Sequence, residues 1–482
     1  MYLRNLYPVP KSFSGDESRQ YVFGSQVTGI INGLTAEQAE RVKVLWRRFS
    51  CNASELTLLP GTEPDTFTVG KASAKLSEGD AYAISVTEAG IAVAGRDAPS
   101  LMKGMETLAQ LICPMELAEG KESLYLSAAE VHDAPSIGFR AIHFCVFPDS
   151  DPSAIEKSIH LAGFLGMTHV ILEFWGTFRY RCLPELSWPG RSRTAEEWKP
   201  LIDLIRSYGM EPIPMVNHFG HATQARGRFG RHVVLDQNPR LSRLFEPDGW
   251  TWCLSNPDTY RLLAEMRAEQ LDFCGGSKYF HLGFDEAVSY ATCPVCRRRK
   301  PHELLAEYLN RITEDVCRAG CRPIVWHDQF VDGRDFPAGV IASGQGQGTA
   351  PALDLLDRRI IMADWEYGYR KGFNPSTPYF MEKGFDTVVC PWDSPATIRS
   401  LSADAVKLGA YGILLTTWDH IDNYLSNAGG WANCVWNAKE GMEQNEGGWR
   451  EPLEESACLL RRLYDCGGRF EAAGWSNYET KY

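Results

Sequence analysis

What this chain lacks excludes several classes of protein before any motif is considered. No window approaches the roughly 18 uninterrupted apolar residues of a membrane-spanning helix, so a bilayer-spanning protein is not expected. Basic residues never accumulate: 49 Lys and Arg stand against 61 Asp and Glu, a formal net charge of −12. A nucleic-acid or anionic-membrane partner is therefore disfavoured. The single basic cluster, Arg297-Arg298-Arg299-Lys300, reads as a solvated helix start. Cysteine is sparse, 14 in 482 residues, which excludes a disulfide scaffold. The opening MYLRNLYPVPKSF carries one early arginine, two prolines and no apolar run, unlike a secretory signal. Reduced thiols, mostly in the core, and a soluble cytoplasmic protein are the resulting expectation.

What is present is an ordinary globular composition, 44% hydrophobic and 23% charged, in a chain longer than one typical domain. Residues 1–133 mix strands with helices. Leu34 to Phe49 carries Ala39, Val42, Leu45, Trp46 and Phe49 at helical spacing, after Thr35 and Gln38 as a capping box. Strand-like pieces run from Glu55 to Leu59, Ala81 to Val86 and Ile91 to Ala94, and a second helix from Pro99 or Ser100 to Ile112. This portion reads as a small non-catalytic α+β domain.

From residue 134 to 482 the pattern becomes apolar strands alternating with helices, closing with a C-terminal helical tail. Strands are expected at Arg140 to Phe147, His169 to Trp175, Glu211 to Asn217, Tyr279 to Phe284, Pro323 to Trp326, Arg359 to Trp365, Thr387 to Pro391 and Gly412 to Trp418. Eight strands with crossovers fit an α/β fold, a (β/α)8 TIM barrel preceded by the small α+β domain. An open doubly wound sheet fits less well, because no Gly-rich dinucleotide turn follows the first strand.

The pivotal stretch is Lys278-Tyr279-Phe280-His281-Leu282-Gly283-Phe284-Asp285-Glu286, an apolar run ending in two acids. Side chains alternate along a strand, so Asp285 and Glu286 must splay and are free to do different jobs. The same dipeptide would also suit a helix N-terminus. The other predicted strand ends deliver Glu173 and Trp175; Asn217, His218 and His221; Trp326, His327 and Asp328; Asp364, Trp365 and Tyr367; Trp392 and Asp393; Trp418, Asp419 and His420. Aromatic faces beside carboxylates are the ingredients of a sugar pocket.

His281-Leu282-Gly283-Phe284-Asp285-Glu286 resembles the His-x-Gly-x-Asp-Glu motif of glycoside hydrolase family 20, the β-N-acetylhexosaminidases. Gly138-Phe139-Arg140 is similar to the opening of that family's first barrel strand. Pro214 to His221 is similar to its third-strand segment, and Thr416-Thr417-Trp418-Asp419 to its eighth. The resemblance implies an exo-acting, retaining, substrate-assisted reaction on terminal β-linked GlcNAc or GalNAc. It assigns Asp285 to orient the acetamido group and Glu286 to act as general acid and base, with a pKa raised toward neutrality. Arg140 would grip sugar hydroxyls, Trp326, Trp365 and Trp418 would wall the pocket, and Asp393 would meet the outer hydroxyls. His221 would tune Asp285 or bridge to the sugar, a buried structural role being the alternative. His281 reads as a strand residue bonded to backbone.

One departure stands out. The family's Tyr-Leu-Asp after the seventh strand is here Pro391-Trp392-Asp393, so either Tyr367 or Tyr369 supplies the missing hydroxyl or the enzyme takes a sugar without that acetamide. Cys293-Pro294-Val295-Cys296 is an isolated pair without a second pair at metal spacing, and no cofactor or metal is expected. The implied partners are small glycans or glycosides ending in N-acetylhexosamine, with no nucleic acid or membrane, and a homodimer is a compatible assembly. A retaining glycosidase for another β-linked sugar such as galactose, or a non-catalytic carbohydrate-binding protein, are the alternatives.

Overall fold

The computed structural model describes residues 6–115, 123–224, 234–287, 289–336, 339–368, 374–418, 434–437 and 463. Tyr369, Asp419, His420 and the tail helix expected from Pro452 to Tyr464, apart from residue 463, lie outside this set.

Local signals in the first domain act as written. Thr35 accepts from the Gln38 amide while the Gln38 side chain accepts from the Thr35 amide, and this box starts α1 (Ala36–Phe49). Asp97 caps α2 (Ala98–Leu111) by accepting from the Ser100 amide. Eight strands complete the domain: β1 (Ser12–Phe23), β2 (Gln26–Asn32), β3 (Glu55–Pro60), β4 (Thr66–Gly70), β5 (Tyr82–Thr87), β6 (Gly90–Gly95), β7 (Cys113–Met115) and β8 (Ser123–Asp133). They form one sheet in the order β1-β8-β5-β6-β4-β2-β3, with β7 on β8. Strands β1, β2, β4, β7 and β8 escape the sequence reading. In β1 the cause is clear, since nearly every residue is exposed or half-buried and no apolar face announces it.

The second sheet holds β9 (Phe139–Val146), β10 (His169–Phe174), β11 (Glu211–Ile213), β12 (Tyr279–His281), β13 (Arg322–Trp326), β14 (Ile361–Asp364), β15 (Asp386–Val389) and β16 (Gly412–Thr416). All neighbours are parallel, in the order β11-β10-β9-β16-β15-β14-β13-β12. The ring closes between β11 and β12, where the His281 amide donates to Pro214 O at 2.9 Å and the Val216 amide to His281 O at 3.1 Å. This is the expected (β/α)8 barrel. Crossovers include α3 (Pro152–Phe164), α4 (Ala195–Ser207), α5 (Pro257–Phe273), α6 (Pro301–Arg318), α7 (Ser376–Glu382) and α8 (Pro395–Leu408). The predicted basic helix start is solvated as expected: Arg299 pairs with Glu307 and Lys300 with Glu303, ahead of α6.

The small domain packs against the barrel through its helices. The Arg41 guanidinium lies 3.0 Å above the Tyr208 ring and bonds Glu106, and Phe49 stacks on Phe164 with centroids 5.6 Å apart.

Strands β11 and β12 end earlier than their apolar runs. Gly283 adopts φ 72°, and a Cβ there would lie 2.1 Å from Asn217 Oδ1, so only glycine lets the two chain segments approach. Gly283→Ala should therefore lower unfolding free energy by about 1–3 kcal/mol, read as a lower urea midpoint at unchanged slope.

Candidate active site

Beyond β12 the backbone leaves strand geometry to turn two successive acids into one space. Phe284 takes φ 82° and Glu286 φ 45°, the left-handed region that side chains other than glycine avoid. Asp285 is consequently buried, whereas the Glu286 side chain remains 49% exposed. Both reach one atom: His221 Nε2 lies 3.3 Å from Asp285 Oδ2 and 3.4 Å from Glu286 Oε2. His221 is itself left-handed, with φ 53°. Its loop fits against the acids because a Cβ on Gly220 would stand 2.0 Å from Asp285 O. Trp250 donates its indole N–H to Glu286 O at 2.6 Å, and the Glu286 amide donates to Asp328 Oδ2 at 3.0 Å.

The electrostatics follow from burial and from that shared imidazole. Burial would push the His221 pKa down, but the Asp285 charge and the hydrogen bonds to both acids outweigh it and lift it to about 10. His221 is therefore a cation at neutral pH. Burial raises Asp285 despite the opposing His221 charge. The hydrogen bond from His221 holds Glu286 below its ordinary value, against partial burial. That overturns the expectation of a raised Glu286 pKa for the protein as it stands, because the carboxylate is half-exposed and shares the His221 cation. Asp328 is lifted to about 6 by burial and then by the Asp285 charge.

Around the acids stand the predicted rings. Trp326 and Trp418 have centroids 5.5 Å apart, Trp365 and Tyr367 5.3 Å, and Tyr367 and Trp392 5.3 Å. Trp418, another non-glycine residue with positive φ, 43°, donates its indole N–H to the Tyr367 hydroxyl at 2.5 Å. Tyr367 also feels the Asp285 charge. Trp175, in a cluster that Trp418 packs against, lies 5.1 Å from the His221 ring. Several buried polar atoms here have no partner: Asp285 Oδ1, His221 Nδ1 and the indole nitrogens of Trp175, Trp326 and Trp365. Buried polar groups are normally paired, so this concentration marks a place built for a polar ligand.

Next to them Glu173 accepts from Asn217 Nδ2 at 2.6 Å and bonds His143 Nε2 at 2.9 Å. Two clusters have metal-ligand composition in this part of the barrel, His143-Cys145-Glu173 and His327-Asp364-Glu366. Each already satisfies its histidine with a carboxylate, at 2.9 Å in the first and 3.3 Å in the second.

Of the predicted site residues, Asp285, Glu286, His221, Trp326, Trp365, Tyr367 and Trp418 gather at the C-terminal strand ends. Asp393 is exposed on the rim beside Trp392. His281 is buried and accepts from the Gly283 amide at 3.1 Å. Arg140 is the correction. As the second residue of β9 it sits at the N-terminal end of the barrel, donating to the carbonyls of Gly166 at 2.9 Å, Ile137 at 2.5 Å and Gly138 at 3.1 Å. The Trp436 ring lies over it at 4.9 Å. With its donors spent on backbone it cannot hold a sugar at the far end. Trp250 was missed because it lies in a loop between a strand and a helix, where no strand-end pattern points to it.

The comparisons agree with this geometry. The chain matches the description "Glycosyl hydrolase family 20, catalytic domain" over residues 180–427 and "Glycosyl hydrolase family 20, domain 2" over residues 4–134. It is 22% identical over 340 residues to a beta-hexosaminidase of Porphyromonas gingivalis, covering 63% of this chain and 42% of that protein. The chain thus spans less than half the length of that curated relative. Its fold is similar to the Flavobacterium johnsoniae chitobiase, with TM-score 0.71, 16% identity, and 96% of this chain and 73% of the other covered. It is likewise similar to a Vibrio harveyi exo beta-N-acetylglucosaminidase in complex with N-acetylglucosamine, with TM-score 0.69, 14% identity, and 95% and 77% covered.

Two outcomes are expected. Arg140→Lys keeps the charge but loses the fork, so it should cost about 1–3 kcal/mol of stability by denaturant melts and leave ligand affinity at the acid end unchanged. His221 has a folded pKa of about 10, above its ordinary 6.5. Its stabilising contribution is thus complete below about pH 6.5 and disappears as pH rises through about 10. The difference in melting temperature between wild type and His221→Asn should shrink across that window.

Proposed function

The chain belongs to glycosyl hydrolase family 20, and from that premise we propose that it is an exo-acting β-N-acetylhexosaminidase. It removes terminal β-linked GlcNAc or GalNAc from small glycans or glycosides by a retaining, substrate-assisted mechanism. The observation that carries this reading is the buried, unpartnered Oδ1 of Asp285 beside the half-exposed Glu286, inside a ring of indoles.

In the first step the acetamido oxygen attacks the anomeric carbon as the glycosidic bond breaks, and Glu286 gives its proton to the departing oxygen. An oxazolinium ion results. Asp285 Oδ1 accepts the acetamido N–H and stabilises the positive charge that grows on it. In the second step Glu286 takes a proton from water as that water opens the ion, so configuration is retained overall. A sugar lying over Glu286 removes solvent from it and moves its pKa upward, into the range a general acid needs.

Tyr367 takes the place of the family's missing tyrosine. Its hydroxyl accepts from Trp418, lies 3.3 Å from Thr416 Oγ1 and is within reach of the Asp285 charge, and its proton turns from Thr416 to the acetamido oxygen when the sugar binds. Trp326, Trp365 and Trp418 form the walls, and Asp393 on the rim meets outer hydroxyls. We place the protein in the cytoplasm, unattached to membrane. The cysteines described, all unpaired in disulfide terms, support a reducing compartment. A homodimer is the assembly proposed with it, to be read by light scattering.

A panel of 4-nitrophenyl glycosides tests the reading. Turnover should require the 2-acetamido group and be inhibited by a thiazoline that mimics the oxazoline. Hydrolysis of an unsubstituted galactoside without thiazoline inhibition would point to the other sugar class, and sugar binding with no turnover to a binding protein. Glu286→Gln should lower kcat/KM by about 10²–10⁴. The loss should be greater for alkyl aglycones than for nitrophenolate, which leaves without a proton.

A further inference from the structure

Three thiols converge from two loops of the barrel. Cys253 Sγ lies 3.7 Å from Cys293 Sγ and 3.9 Å from Cys296 Sγ. All three sulfurs fall within 4.8 Å of one another, and none is in a disulfide. Zinc–sulfur bonds of about 2.3 Å in a tetrahedron place neighbouring sulfurs about 3.8 Å apart, the spacing of Cys253 from each of the other two. The Cys296 amide donates to Cys293 Sγ at 3.3 Å, a bond that orients the sulfur.

A buried acid bonded to the residue before Cys293 also lacks a partner on one oxygen. Glu246 is 1% exposed, and its Oε1 has no partner. Its other oxygen accepts from the Thr292 amide at 3.1 Å and from the Thr292 hydroxyl. A buried carboxylate oxygen left unpaired is costly unless a bound ligand compensates it.

We propose that Cys253, Cys293 and Cys296 are ligands of a structural zinc ion, with a solvent oxygen completing the tetrahedron. The sequence pair Cys293 and Cys296 is completed by a cysteine 40 residues upstream, a separation that no metal-spacing pattern includes. The ion joins the loop after Glu286 to the turn holding Trp250. Phe245 and Trp252 form a bridge across that turn, and Ala222 donates to Trp250 O at 3.0 Å. One bound ion thereby ties together the segments that carry Glu286, Trp250 and His221. Binding releases the thiol protons to solvent and involves no redox change.

Metal analysis of the full chain, purified under reducing conditions without chelator, tests this independently of any turnover. Wild type should carry one zinc per chain. Exchange with cobalt(II) should give the near-ultraviolet thiolate-to-cobalt band and the strong visible bands of a tetrahedral site. The three cysteines should resist alkylation until the zinc is stripped by a strong chelator, as mapped by peptide mass spectrometry. Cys253→Ser should lose most of the bound zinc and weaken the thiolate-to-cobalt band. If that variant fails to fold, the cobalt spectrum and alkylation map of wild type decide alone. Wild type that contains no zinc and gives no thiolate–cobalt band overturns the proposal. So does a Cys293–Cys296 disulfide in the freshly isolated protein, or an unchanged cobalt spectrum in folded Cys253→Ser.

Discussion

Neighbouring residues on a strand face opposite ways, and this active site requires two of them to face the same imidazole. The chain meets that demand by abandoning strand geometry at Gly283 and holding Phe284 and Glu286 at positive φ. Such conformations persist only where the surroundings over-determine them. Here the surroundings are visible: His221 between the carboxylates, Trp250 on the Glu286 carbonyl, Asp328 on its amide, and Gly220 pressed against Asp285 O. The strained positions and the chemistry coincide because both arise from one turn of backbone.

The same arrangement gives two carboxylates opposite tendencies. Asp285 is buried and raised, whereas Glu286 is half in solvent and lowered by the imidazolium it shares. Division of labour between adjacent acids therefore comes from exposure, not from residue type. At the other end of β9 an arginine of equal burial does something different. Arg140 spends its donors on three backbone carbonyls and secures the base of the barrel, in keeping with the separation of stability from chemistry between the two ends of this fold.

Much of this was legible in the chain itself. Apolar strands between amphipathic helices disclose the barrel, and acids and indoles at strand ends disclose the pocket. Periodicity has no bearing on where a strand stops when glycine and neighbouring loops decide it, and β12 is half as long as its apolar run. Gly138-Phe139-Arg140 misled because a motif gives a residue's place in order but not the end of the strand at which its side chain works. Trp250 and Cys253 were unreadable because their partners are 36 and 40 residues away, a proximity created only by folding. Strand β1 was hidden for the opposite reason: it is polar on both faces.

Asp133 closes the first domain with one oxygen that accepts both from Tyr82 in that domain, at 2.8 Å, and from Trp436, at 3.0 Å. The same indole covers Arg140 at the barrel's foot, and its carbonyl accepts from the Ser136 amide at 2.8 Å. A residue beyond the last strand thus acts as the rivet between the α+β unit and the ring of strands. The barrel is in that sense no interchangeable cassette: its lower rim is finished by parts that precede and follow it, and lineages that shuffle such modules would have to move all three together.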